Sequence, residues 1–216
     1  MFKLGLDMLT KFRELLAKSL RDNKRLIISL YVIFIIVFVA AWALSGDRMQ
    51  AILSGVQISN SPANLGAENP VDLFVHNSWS GILTYVASIF FAIPSIAVLL
   101  YNAVNLGVFG QMFSLMIPNG GIMYITYLIP HGIFEITATV LQSVCGILLF
   151  LFVWRFIRAM ISSETHGVSD AFEKTKEVLI QSLILMIFSI ILLLIAAPIE
   201  AYFSVPFSEF ITGFLN

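Results

Sequence analysis

The chain has 216 residues, 59% hydrophobic and 12% charged, with 19 Phe, a mean hydropathy of +0.94 and a formal net charge of −1 at pH 7. A soluble domain of this size leaves roughly a quarter to a third of its unfolded surface in water and carries about 25% charged residues, so the composition excludes one and makes the bilayer the solvent. The net charge gives nucleic-acid binding no support, and the single Cys145 excludes an internal disulfide framework and any cysteine-based zinc site.

The charges are unevenly placed: ten of the 25 lie in residues 1–25 and eight in 155–177. Residues 2–20 are expected to form an amphipathic helix, because Phe2, Leu6, Leu9, Phe12, Leu16 and Leu20 recur at three- and four-residue spacing. Lys3, Asp7, Lys11, Glu14 and Lys18 line its other face, with Asp7–Lys11 and Glu14–Lys18 as acid-first pairs. Such a helix lies on the inner membrane surface or packs on a partner protein.

The first span is 26–44, interrupted only by Ser29 and long enough for ~30 Å of hydrocarbon. Ala41-Trp42-Ala43 resembles a signal-peptidase site, but the apolar run before it exceeds the usual ~7–15 residues, so the span is expected to be retained. An outer loop, 45–80, is rich in Ser, Asn, Gly and Pro, and Asn69-Pro70-Val71-Asp72 reads as a helix start. Spans follow at 82–101, where Pro94 is expected to kink the helix, and at 103–117, which carries Asn105, Gly107, Gly110 and Gln111. Residues 122–129 are apolar but too few to cross, so they are expected either at the interface or as a re-entrant segment from outside. Spans 133–153 and 178–197 complete the set, separated by an inner loop, 155–177, in which His166 reads as solvated. Pro198 is expected to close the last span, leaving a tail, 202–216.

With about five spans and the N-terminus inside, eleven of the twelve Lys and Arg fall on the inner side and only Arg48 outside. The expected fold class is an all-α polytopic membrane helix bundle, N-in and C-out. It is read as a single membrane domain over 1–216, in the cell membrane.

Ionisable groups inside spans are costly and mark functional sites. Pro130-His131-Gly132-Ile133-Phe134-Glu135 is the sharpest case, since His131 and Glu135, four apart, share one helical face. Glu135 lies 20 residues before Arg155, about 30 Å of helix, and Glu200 lies 22 after Val178. Both therefore approach the outer boundary, as do His76 and Asn77, and His76, Asn77, His131, Glu135 and Glu200 are expected at a similar level. Three uses remain open for them: hydrogen bonds that pin the bundle, a proton or ion relay, or a metal site built from His131, Glu135 and His76. No second His-rich motif supports the metal, so no metal, cofactor or catalytic residue is expected. Asn102, Asn105, Gly107, Gly110 and Gln111 form a second polar group, read as close helix packing or as the inner end of a polar path.

Phe74-x-His76-Asn77, the pattern Asn102, Asn105, Gly107, Gly110, and Pro130-His131-Gly132-x-Phe134-Glu135 together resemble the stage II sporulation protein M family. The resemblance covers about 74–146 and makes these residues a family signature. It implies a polytopic membrane protein of about five spans that scaffolds or anchors partners without being an enzyme, the namesake holding two cell-wall hydrolases during spore engulfment. Two functions are therefore expected: a non-enzymatic membrane scaffold, as a homo-oligomer with the dimer favoured, or a channel or transporter using His131 and Glu135. A variant of the second is the membrane subunit of an ATP-driven exporter, whose ATPase must be a separate chain because no Walker motif is present.

Overall fold

The computed structural model describes residues 2–55 and 69–214, and every regular element among them is helical. Residues 56–68 of the expected outer loop and 215–216 of the tail lie outside the described residues. In chain order the helices are α1 (Phe2–Asp22), α2 (Lys24–Leu44), α3 (Gly46–Gly55), α4 (Pro70–Ala87), α5 (Ile93–Met116), α6 (Gly120–Ile161) and α7 (Val168–Ile199). A π-helical turn (Glu200–Ser204) then leads into α8 (Val205–Gly213). Among the described residues, four helical stretches are long and apolar enough to cross a membrane: Lys24–Leu44, Ile93–Met116, Gly120–Ile161 and the continuous Val168–Gly213.

Three boundaries differ from expectation, each for a reason of backbone chemistry. The stretch 82–101 is interrupted at 88–92, so its first part closes α4 while its last part and 103–116 form the single helix α5. Pro94, expected to kink a span, sits in the first turn of α5, where its missing N–H costs nothing. Residues 122–129 are neither an interfacial piece nor a separate re-entrant one; they belong to the 42-residue α6, which continues through Pro130. Pro198 likewise sits inside α7, and the helix passes it through the π turn. One lost bond at a proline costs less than ending a helix in hydrocarbon, which would strand four N–H or four C=O groups. The inner loop is also shorter than expected, with only 162–167 non-helical. There Asp170 accepts the His166 N–H at 3.0 Å and pairs with Lys174 at 2.9 Å, holding the start of α7.

The fold resolves into two compact units. Unit 1 comprises Met1–Tyr31, Trp79–Val98 and Ala138–Ile191. Here the end of α1 docks on the start of α7. Lys18, expected opposite Glu14, pairs with Glu177, while Gln181 donates to Asp22 (3.0 Å) and accepts from Asn23 (2.9 Å). Deeper in the unit, small residues pack closely. A Cβ on Gly146 would lie 1.8 Å from Ser95 Oγ and 2.9 Å from Ser88 Oγ, so only glycine fits. The pairings also fix a direction. Gly81 meets the Gln142 side chain, Ser88 and Ser95 both meet Gly146, and Phe91 stacks on Phe150 at 6.3 Å. Thus α4 advances along α6 toward 88–92 and α5 runs back, which makes the pair a helical hairpin. Its tip, Ser88-Ile89-Phe90-Phe91-Ala92, carries no charge, and Phe90 is 77% exposed.

Unit 2 comprises Val32–Ser78, Leu99–Thr137 and Leu192–Asn216. A Cβ on Gly107 would fall 2.4 Å from the Phe38 carbonyl oxygen, and one on Gly110 2.1 Å from the Trp42 ring. These two glycines let α5 lie directly on α2. The Trp42 ring then meets Tyr124 edge-on at 5.7 Å, and the Tyr124 hydroxyl donates to the Leu106 carbonyl at 2.9 Å. Those contacts seat the first half of α6 beside α5 and leave a cavity next to them.

Candidate functional site

The cavity holds about 350 Å³ and lies wholly within unit 2, bounded by α5, the first half of α6, and the π turn with the start of α8. Most of its wall is apolar. Its polar part consists of His131 and Glu135 from α6, Glu200 from the π turn, and the hydroxyl groups of Tyr124, Tyr127 and Ser208. One nitrogen of His131 and one oxygen from each glutamate all lie within 4.8 Å of one another.

Local helix geometry explains how these side chains meet. Tyr124, Tyr127, His131 and Glu135 recur at three- and four-residue spacing, so an unbroken α6 places them along one face. That face exists only because α6 continues through Pro130. On the other side, the π turn begins two residues after Pro198 and carries Glu200 and Ser204, four apart. Single π turns inside α-helices are rare and concentrate at functional sites.

Each ionisable group is held by a neighbour. His131 is 2% exposed, and its Nδ1 lies 2.8 Å from Ser204 Oγ. The Ser204 hydroxyl donates to the Ile199 carbonyl, five residues back, at 3.2 Å. Glu135 Oε1 accepts a hydrogen bond from Asn77 Nδ2 at 3.0 Å, and Glu200 Oε1 accepts one from the Tyr127 hydroxyl at 3.3 Å. His131 Nε2 faces Glu135 Oε2 at 3.9 Å, beyond hydrogen-bond length. Below this group, Ser208 donates to the Met123 carbonyl at 2.8 Å and lies 2.9 Å from Thr126 Oγ1, joining α8 to α6.

The residues singled out from the sequence therefore separate. Asn77, His131, Glu135 and Glu200 come together. His76 is exposed on α4 and stands apart from the group. Asn102 and Asn105 are half-buried on α5 and do not line the cavity, while Gly107 and Gly110 serve the packing against α2. Pro130 and Gly132 flank His131 without contributing a polar side-chain atom, and a Cβ on Gly132 would touch Leu128 at 3.0 Å. Sequence reasoning missed Tyr127, Ser204 and Ser208. Their signal was the four-residue spacing Glu200-x-x-x-Ser204-x-x-x-Ser208, hidden by the assumption that Pro198 ends the helix.

An imidazole and two carboxylates can bind or relay a cation, a proton included, and the apolar wall beside them can take an organic group. Among curated proteins, an uncharacterized protein of Methanocaldococcus jannaschii is 35% identical over 121 residues, which is 56% of this chain and 62% of that protein. The match thus spans less than two thirds of the relative's length. No solved structure gives a significant match. The family model described as stage II sporulation protein M matches residues 26–205, which reaches into all four apolar helical stretches and includes the whole His131–Glu135–Glu200 group. The chain is a membrane protein and belongs to the stage II sporulation protein M family.

Proposed function

We propose that this is a multi-pass protein of the cell membrane that admits a small solute or ion to the unit 2 cavity, with His131, Glu135 and Glu200 as the polar end of the path. One observation carries the reading: an imidazole and two carboxylates gathered in the wall of an otherwise apolar cavity. Ionisable side chains in the apolar wall of a membrane protein are costly and rare, and packing alone would be served by leucine. The test is flux of monovalent and divalent cations and of protons through liposomes. Wild-type protein is expected to conduct and Glu135→Gln to lose most of that flux while melting at the same temperature. Unchanged flux in Glu135→Gln, with lowered melting, would assign the group to packing instead.

The same reading includes a topology. If α2, α5, α6 and α7 each crossed once, Arg155, Arg158, Lys174 and Lys176 would lie opposite the basic N-terminal segment, against the positive-inside rule. Reading the α4–α5 hairpin as re-entrant leaves three crossings, α2, α6 and α7, with an N-in and C-out arrangement and eleven of twelve basic residues inside. Its uncharged tip pairs with Gly146 and Phe150, short of Arg155 on the same helix. A cysteine replacing Phe90 is expected to resist membrane-impermeant thiol reagents from both sides. Ready labelling from the inside would make α4 a full crossing.

A second reading rests on the family match over 26–205. It is a non-enzymatic scaffold, as a homodimer, that anchors membrane or cell-wall enzymes, or the membrane subunit of an exporter with a separate ATPase. Co-purification of a stoichiometric partner from native membranes, with no liposome flux, supports it over the first.

A further inference from the structure

We propose that His131, Glu135 and Glu200 form a site for a single divalent first-row metal cation of the Zn²⁺–Mn²⁺ group. The inference deepens, and rests on, the reading of the unit 2 cavity as the functional site.

A serine hydroxyl has one hydrogen, and that of Ser204 goes to the Ile199 carbonyl at 3.2 Å. In that arrangement its oxygen accepts from His131 Nδ1, 2.8 Å away, the tautomer that suits a metal ligand. A neutral imidazole has one N–H, so Nε2 presents a lone pair. That nitrogen faces Glu135 Oε2 at 3.9 Å, with an oxygen of Glu200 also inside the 4.8 Å limit of the group. Three donor atoms thus face one another in the wall of an apolar cavity, an arrangement that a cation at their centre stabilises.

The dimensions suit a metal. Bonds of about 2.1 Å from nitrogen and oxygen place cis ligands about 3.0–3.5 Å apart, so from the 3.9 Å between His131 and Glu135 and the 4.8 Å limit of the group both carboxylates turn inward to close on an ion. Every ligand also has the outer partner that metal ligands characteristically keep: Ser204 on the imidazole, Asn77 on Glu135 and Tyr127 on Glu200. The cavity alongside leaves room for water or a solute in the remaining coordination positions. One imidazole with two carboxylates favours borderline divalent ions, whereas Mg²⁺ and Ca²⁺ prefer oxygen alone and Cu(I) prefers sulfur.

The full chain in detergent, stripped with EDTA, is titrated with Zn²⁺, Mn²⁺ and Mg²⁺ by calorimetry, and Co²⁺ binding is followed by its visible absorption. The expected result is one ion per chain, Zn²⁺ tighter than Mn²⁺ and Mg²⁺ weakest. Glu200→Gln and His131→Asn should abolish binding, and Ser204→Ala, which keeps all three ligands, should weaken it by about 10–100-fold. His76→Ala and His166→Ala should change nothing, and melting of each variant without metal reports its folding. Sub-stoichiometric binding, or equal affinity in a folded Glu200→Gln, overturns the proposal, as does loss of binding in His76→Ala. Absence of ion binding alongside flux that still needs Glu135 removes the metal and leaves the cavity reading. Stoichiometric binding with no flux keeps the metal and removes the pathway.

Discussion

Both units bury polar side chains among apolar helices, but they use different chemistry. In unit 1 the buried groups are neutral hydroxyls. Ser88 meets Ser95 at 2.7 Å, Ser143 donates to the Ser95 carbonyl at 3.1 Å, Ser182 to the Cys145 carbonyl at 2.9 Å and Ser189 to the Met186 carbonyl at 2.7 Å. A hydroxyl brings one proton and finds one carbonyl, so its requirement is met inside the bundle and small side chains let the helices close up. In unit 2 the group is titratable, set beside a cavity, and rich in acceptors. Hydroxyls alone could have pinned those helices, as they do in unit 1. On the reading proposed above, unit 1 holds and unit 2 binds.

The largest expected effect is on transport. Glu135→Gln, and independently Glu200→Gln, should remove most of the liposome flux with little change in melting. A fall in melting with flux retained would make the two units alike and break the contrast. Next comes Gly146→Leu in unit 1, where even a Cβ would sit 1.8 Å from Ser95 Oγ. Overpacking there should cost about 1–3 kcal/mol, seen as lower melting in detergent, with flux per folded molecule unchanged. Ser182→Ala removes the bond to the Cys145 carbonyl and the 3.0 Å contact with the Tyr85 hydroxyl, and should cost about 0.6–1.7 kcal/mol by the same assay. If it altered flux, unit 1 would have a share in the binding chemistry.

The smallest effect belongs to the surface. The hydrogen bond to Glu177 and the charge of that carboxylate raise the pKa of Lys18 above its ordinary 10.5. A folded value above the unfolded one means that the contribution is whole at neutral pH and is lost only as pH rises through the raised value. Lys18 is exposed and screened by salt, so Lys18→Met should lower melting only slightly at pH 7, and that small difference from wild type should vanish above about pH 10. A large drop at neutral pH would show that α1 docking depends on this pair and sharpen the account of unit 1.

Part of this was legible in the residue order. Helix α4 opens where Asn69-Pro70-Val71-Asp72 announced it, with Asn69 Oδ1 accepting the Val71 N–H at 2.9 Å. His131 and Glu135 stood out because an acid beside a histidine in an apolar run is rare. Ser204 and Tyr127 did not, because serine and tyrosine are ordinary residues whose importance depends on what they touch. The prolines misled most. At Pro130 and Pro198 a local rule for ending helices gives way to the cost of unpaired backbone in hydrocarbon, and each exception carries part of the site.

Composition and charge placement by themselves determined the solvent, the all-helical class and the sidedness expected of the basic segments, and short motifs carried the family resemblance, since hydropathy, helical periodicity and motifs are properties of neighbouring residues. Only the tertiary structure decided that Glu200 joins the group while His76 does not, and that α4 and α5 fold back as a hairpin around Gly146. Those outcomes depend on which distant helices fit together, through glycines at Gly107, Gly110 and Gly146 and through the phase shift of one π turn. No window of adjacent residues carries that information.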